Sequence, residues 1–155
     1  MVEVADTTKD HRRGIDHIGV SVSFIIHDGN GNIMLHKRGQ QARDEQGRWD
    51  VGGGALEFGE SIDDAIRREL KEEFCVDAIG IEFLTAFDAH REHNGVPTHW
   101  IALLHAVKID PSQVQNGEPH KIDEINWFTG ANLPSPLHSQ FEKAFAAAIK
   151  AGVVK

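Results

Sequence analysis

Residues 52–76, GGGALEFGESIDDAIRRELKEEFCV, limit what this chain can fold into more than any other stretch. A glycine run, read as shaping a turn, leads into a segment with helical periodicity. Ser61 is placed to cap a helix, with Asp64 three residues on, and the helix should run to about Phe74. Glu69, Glu72 and Glu73 fall at i, i+3 and i+4 and share one helical face. Ile62, Ala65, Ile66 and Leu70 occupy much the same face. Charges that only meet solvent should lie opposite the apolar stripe; these overlap it. They also crowd the helix C-terminus, where the helix dipole disfavours each carboxylate by roughly 0.3–1 kcal/mol. An oxygen-seeking divalent ion, Mg²⁺ or Mn²⁺, turns that liability into a metal site on Glu69, Glu72 and Glu73. A solvated acidic helix end, relieved by Arg67 and Arg68, is the competing reading. Gly53, Gly54 and Gly59 either let phosphates approach the backbone, supply unusual dihedrals, or make only a turn.

Around this stretch the chain alternates strand and helix signals. Residues 1–15 read as a flexible tail and residues 16–155 as one domain. HIGVSVSFIIHD carries Ile18, Val20, Val22, Phe24 and Ile26 at period two, and IMLHKR follows the turn signal DGNGN. Residues 39–48 form a polar loop. Residues 79–89 and HWIALLHAVKI read as strands separated by HREHNGVPT, a loop or hairpin turn, and IDEINWF as a short strand. After Pro134 and Pro136, residues 138–150 form a closing helix with Phe141, Phe145 and Ile149 as its apolar stripe. More strands than helices in one domain favours a mixed sheet with helices on both faces.

Composition removes several functions. Net charge is −8, from 24 acidic and 16 basic side chains. That disfavours a nucleic-acid polymer as partner, but not a small nucleotide whose phosphates a bound cation neutralises. A single cysteine permits no internal disulfide. The polar N-terminus and the lack of a long apolar run point to a cytoplasmic protein with no membrane partner, monomeric or homodimeric. A dinucleotide fingerprint and a Walker A motif are both absent.

The combined spacing is more specific than any single element. Gly54, Glu60, Arg68, Glu69, Leu70, Glu72, Glu73 and Val76 stand in the register of the Nudix box: Gly, five residues, Glu, seven residues, then Arg-Glu-hydrophobic-x-Glu-Glu-x-Gly-hydrophobic. The one departure is Cys75, where that family has glycine. The box spans residues 54–76, and the strand order resembles the Nudix fold over residues 16–150. The resemblance implies an α/β/α sandwich around a mixed β-sheet. It also implies Mg²⁺-dependent hydrolysis of a nucleoside diphosphate linked to another group. On this mapping the metal carboxylates are Glu69, Glu72 and Glu73, Arg68 orients an acid, and Glu60 stands near the cluster. Cys75 sits where a helix-closing left-handed residue is common, at a cost of about 1 kcal/mol, and removes no ligand.

The family often draws a further acid from outside the box. Glu118, in GEPHK, is the preferred candidate for base or extra ligand, with Glu124 the weaker one. Arg38 is placed to grip a phosphate. Trp49, Phe87 and Trp100 either stack a base or fill core, core being favoured for any one of them. A zinc site on His90, His93 and His99 lacks cysteine partners and is set aside. The short tail and the LEFGE wording favour a nucleoside triphosphate or modified nucleotide, giving monophosphate and pyrophosphate. A nucleotide-sugar (ADP-ribose type) substrate and a non-catalytic nucleotide-binding module are the alternatives.

Overall fold

The computed structural model describes residues 11–155. Along the chain it forms β1 (Gly19–His27), β2 (Ile33–Arg38), β3 (Trp49–Asp50), β4 (Gly52–Ala55), α1 (Ile62–Phe74), β5 (Gly80–His93), β6 (Val96–Lys108), β7 (Ile122–Phe128) and α2 (Phe141–Ala151). The strands make one mixed sheet. β6 runs parallel to β1 along its length, and β5 pairs antiparallel outside β6. The other edge of β1 is divided. Ile26 and His27 pair with β2, whereas Ser21 to Phe24 pair with β4. β2 also carries β3 and β7. The sheet therefore splits beside β1, and a cleft opens between β2 and β4.

Each face of the sheet is covered by one helix. α1 lays Ile66, Leu70 and Phe74 on Phe24, Ile26, Met34 and Val107. α2 lays Phe141 and Ala148 on Ile25, Ile33, Leu35 and Ala106. Alternation sends Phe24 and Ile26 to one helix and Ile25 to the other, so all three are at most 1% exposed. A sheet covered on both faces reads as a continuous apolar run, and each such side chain contributes about 1.5–3 kcal/mol by burial. This is the α/β/α sandwich the sequence led us to expect.

α1 begins as expected, with the Asp64 N–H donating to Ser61 Oγ at 3.0 Å. It ends at Cys75, which takes the left-handed conformation (φ 57°, ψ 31°) while its N–H reaches the Lys71 carbonyl. The cysteine therefore adopts the conformation that glycine would take more cheaply.

Three expectations need correction. The glycines at 52–54 make no turn: they are strand β4, and none has positive φ. Space is what demands them. A Cβ at Gly52 would lie 2.2 Å from the Phe24 ring, at Gly53 2.5 Å from the Val22 carbonyl, and at Gly54 2.2 Å from the Glu69 carboxylate. β4 threads between β1 and α1 only without side chains. HREHNGVPT is a hairpin turn and not a loop, and the turn is shorter than the stretch: Asn94 and Gly95, both at positive φ, close it by themselves and the rest is strand. The apolar stripes are also narrower than drawn. Ile62 (41% exposed) and Ile149 (54%) face outward, and α2 starts at Phe141 and seats Ala144 and Ala148 instead.

Of the segment read as a tail, residues 1–10 lie outside the described residues. Residues 11–17 form a turn bridged between Arg13 and His17. Gly14 is tucked against Trp100, and its carbonyl accepts the His99 N–H at 2.8 Å. Among the described residues no helix is long and apolar enough to cross a membrane.

Candidate active site

The split in the sheet holds a cavity of about 570 Å³. Glu69, Glu72 and Glu73 reach it from α1, Gly53 and Gly54 from β4, Arg38 from β2, and Glu118 from the loop before β7. Glu60 and Arg68 stand behind this lining. The Arg68 guanidinium donates to both Glu60 oxygens (2.7 and 3.1 Å), to Glu69 Oε1 (2.7 Å) and to the Ala55 carbonyl (3.2 Å). It also lies 3.5 Å from Glu72. Glu60 accepts the Glu57 N–H as well, and Arg68 holds its carboxyl below the usual range. The pair thus ties the turn before α1 to the acids on the helix.

Glu73 is left out of that arrangement. Its one hydrogen bond comes from the Gly53 N–H, at 3.3 Å. Burial raises its pKa well above the ordinary carboxyl value, and Glu69, Glu118 and Asp50 push the same way. Burial also raises Glu69, against the pull of Arg68. Among the described residues no cation pairs with Glu73. A partly buried carboxylate among acids, with one weak donor, is the electrostatic signature of a position that a cation completes. The donor set is all oxygen and opens on a cavity, so the residues present fit a hard divalent ion.

Glu118 is fastened to this cluster by the end of α1 itself. The Gln115 N–H donates to the Phe74 carbonyl (3.0 Å) and the Gly117 N–H to the Glu73 carbonyl (2.9 Å). A Cβ on Gly117 would lie 2.1 Å from the Glu72 carbonyl, so the loop packs backbone on backbone. Glu118 then bears electrostatically on both Glu69 and Glu73. Glu124, by contrast, is an exposed residue of β7 facing Lys37 across the strands.

The far end of the cavity holds groups that sequence reasoning missed. Arg38, expected as a phosphate grip, donates to the Asp44 carbonyl (2.9 Å) and carboxylate (2.8 Å) and to Asp50 (3.4 Å). Arg91 engages Asp44 and Glu45. His138 Nε2 lies 2.8 Å from Glu45 without hydrogen-bond alignment, while its Nδ1 accepts the Gln140 N–H. Asp44, Glu45 and His138 could converge on a metal, but the two arginines already neutralise those acids. His36 packs on Phe74, and burial pushes its pKa down to about 4. His36 Nδ1, His138 Nε2 and Gln140 Oε1 are buried without hydrogen-bond partners, and all three residues line the cavity. No spacing signal in the sequence announces them, since they converge from β2 and from the segment just before α2. Trp49 is core, edge-on to Phe128, whereas Phe87 and Trp100 line the cavity.

Comparison with known proteins gives the family and the fold. The family model described as NUDIX domain matches residues 17–149. A Yersinia pestis protein described as an uncharacterized Nudix hydrolase is 30% identical over 105 residues, covering 67% of this chain and 54% of its own length. The chain therefore spans about half of that relative. A crystal structure of a MutT Nudix hydrolase from Burkholderia pseudomallei superposes with a TM-score of 0.75 at 26% identity, over 84% of this chain and 98% of that one. The Nudix domain of Shewanella oneidensis NrtR, crystallised with ADP ribose, shares the fold (TM-score 0.71, 16% identity, 87% and 88% covered).

Proposed function

The chain belongs to the Nudix hydrolase family, and from that premise we propose that it hydrolyses the diphosphate linkage of a nucleoside triphosphate or modified nucleotide, with Mg²⁺ as its ion and monophosphate and pyrophosphate as products. The observation that carries this reading is Glu73: a partly buried carboxylate beside Glu69 and Glu118, with no cationic partner among the described residues, in the lining of a cavity of nucleotide size.

Glu69, Glu72 and Glu73 hold the ion. A divalent cation there supplies Lewis-acid polarisation of phosphoryl oxygens and makes water more acidic. Arg68 keeps Glu69 aimed and shares its charge with Glu60. Glu118 is placed to take the proton from the attacking water as the phosphoanhydride bond breaks. Gly54 leaves room beside the backbone for the Glu69 carboxylate, and the Gly53 N–H donates to Glu73. Arg38 is committed to Asp44 and Asp50, so Arg43 and Lys121, which line the same cavity without an ion pair among the described residues, are the freer phosphate grips. Phe87 and Trp100, with Ala89 and Ala102 between them, offer an apolar wall to a base.

The ADP-ribose seen in the NrtR Nudix domain keeps a nucleotide-sugar substrate as the second reading. A panel of nucleoside triphosphates, modified nucleotides and nucleotide sugars, incubated with Mg²⁺ and resolved by ion exchange, separates the two. Monophosphate plus pyrophosphate from triphosphates supports the first. Two monophosphates from a nucleotide sugar alone supports the second. No product from any compound, with no Mg²⁺ uptake, overturns both in favour of a binding module.

A further inference from the structure

The long hairpin β5–β6 has a second face, turned away from the cavity. Its pairing is regular from Ala86 to His93, so side chains alternate strictly. Ala89, Arg91 and Trp100 point to the cavity. Asp88, His90 and His99 therefore share the opposite face, His90 and His99 being direct cross-strand partners. Their ring centroids lie 4.1 Å apart. His99 Nε2 is 2.8 Å from Asp88 Oδ1, and one ligand atom from each of the three residues falls within 4.8 Å of the others. His93, an odd step from His90, projects to the other face and cannot join them.

We infer that Asp88, His90 and His99 form a second metal site, selective for a borderline transition ion such as Zn²⁺, distinct from the carboxylate cluster on α1. Two imidazole nitrogens and one carboxylate oxygen are a donor set that suits Zn²⁺, Cu²⁺ or Ni²⁺ and gives little to Mg²⁺. The strand ladder holds both imidazoles in register, and only side-chain rotations are needed to bring three atoms onto one ion, with the remaining position open to water. The ion takes the place of the close contact between His99 Nε2 and Asp88 Oδ1. Because His90 and His99 adjoin Ala89, Arg91 and Trp100 in sequence, the site staples the two strands behind the apolar wall of the cavity.

The test uses the full chain, with saturating Mg²⁺ present to occupy the carboxylate cluster. Zn²⁺ titrated by calorimetry should bind at one site. His90→Ala and His99→Ala should each weaken it by more than about tenfold, since even supporting partners of metal ligands carry that much. His93→Ala, nearby but facing the other way, should leave affinity unchanged. Cu²⁺ bound to the unmodified chain should show nitrogen hyperfine structure in its electron paramagnetic resonance spectrum, lost in the His90 and His99 variants. The side chains are surface groups, and equal melting temperatures in EDTA confirm that the variants fold. Absence of Zn²⁺ binding under Mg²⁺, or equal binding by all three variants, or a His93→Ala loss matching the other two, overturns the site.

Discussion

Glu73→Gln should stabilise the metal-free protein and disable the metal-loaded one, a pairing of signs that few other substitutions share. The amide keeps the shape of the side chain and removes its charge. In the metal-free protein that charge is partly buried, receives only the Gly53 N–H at 3.3 Å, and faces Glu69, Glu118 and Asp50. An uncompensated buried polar group costs about 1–3 kcal/mol, so removal of this partly buried charge should raise the melting temperature in EDTA by roughly 2–4 °C per kcal/mol recovered. Folding raises the carboxyl pKa above its ordinary 4.5. The folded state then binds more protons than the unfolded one, and metal-free stability falls as pH rises above that value. The glutamine variant should lack this limb. Mg²⁺ reverses the ranking. At a hundred times its dissociation constant it should stabilise the unmodified chain by about 2.7 kcal/mol and the variant by little. Glu72→Gln is the control: Glu72 is half exposed, so its metal-free stability should move by no more than about 0.5 kcal/mol. Thermal melts in EDTA and in graded Mg²⁺, over a pH series, read all of this. A lower melting temperature for Glu73→Gln in EDTA, or an equal Mg²⁺ gain in both proteins, refutes the reasoning.

Gly54→Ala should cut turnover by about a hundredfold while the chain stays folded, because the new Cβ, 2.2 Å from Glu69 Oε1, displaces a carboxylate that the chemistry needs in place. Gly53→Ala meets the Val22 carbonyl at 2.5 Å instead, so it should cost about 1–3 kcal/mol in urea melts. His36 is held neutral, with its pKa depressed from 6.5 to about 4. Its contribution is complete above pH 6.5 and lost as pH falls towards 4, amounting to about 2 kcal/mol lost by pH 5, and His36→Leu should flatten that limb of the pH–stability curve. Cys75→Gly should stabilise by about 1 kcal/mol in the same assay, since Cys75 already occupies the left-handed region.

Those predictions draw on residues that sequence reading reached unequally. β2 and β7 lie where IMLHKR, after its turn signal, and IDEINWF were read as strands, and α1 spans the stretch marked by Ser61 and the acid triad, because local chemistry decides each of those boundaries. β4 escaped because glycine carries no propensity for a strand. Its extended form is dictated by Phe24, Val22 and Glu69, contacts made at distance in sequence. The same holds for the polar end of the cavity. Arg91 read as a loop residue and His138 as the first residue of a helix, and only the folded chain brings both to Glu45. His90 and His99 were visible as histidines, but a strand register was needed to show that Asp88, and not His93, is their neighbour.

The C-terminal end of α1 shows why the box and the loop bearing Glu118 depend on each other. A helix end leaves carbonyls unpaired and carries partial negative charge, and here three carboxylates add to it. Arg68 answers Glu69 and, more distantly, Glu72, but not Glu73. The loop 115–118 answers the backbone, its Gln115 and Gly117 N–H groups taking the carbonyls of Phe74 and Glu73. Those bonds deliver another acid, Glu118, to a site already too negative. A fold that only needed its helix capped would gain from a neutral or basic residue at that point. Placing an acid there raises the cost of the empty site and the affinity for an ion together, so loss of the loop's grip, as in Gly117→Ala, should weaken Mg²⁺ binding without touching any carboxylate.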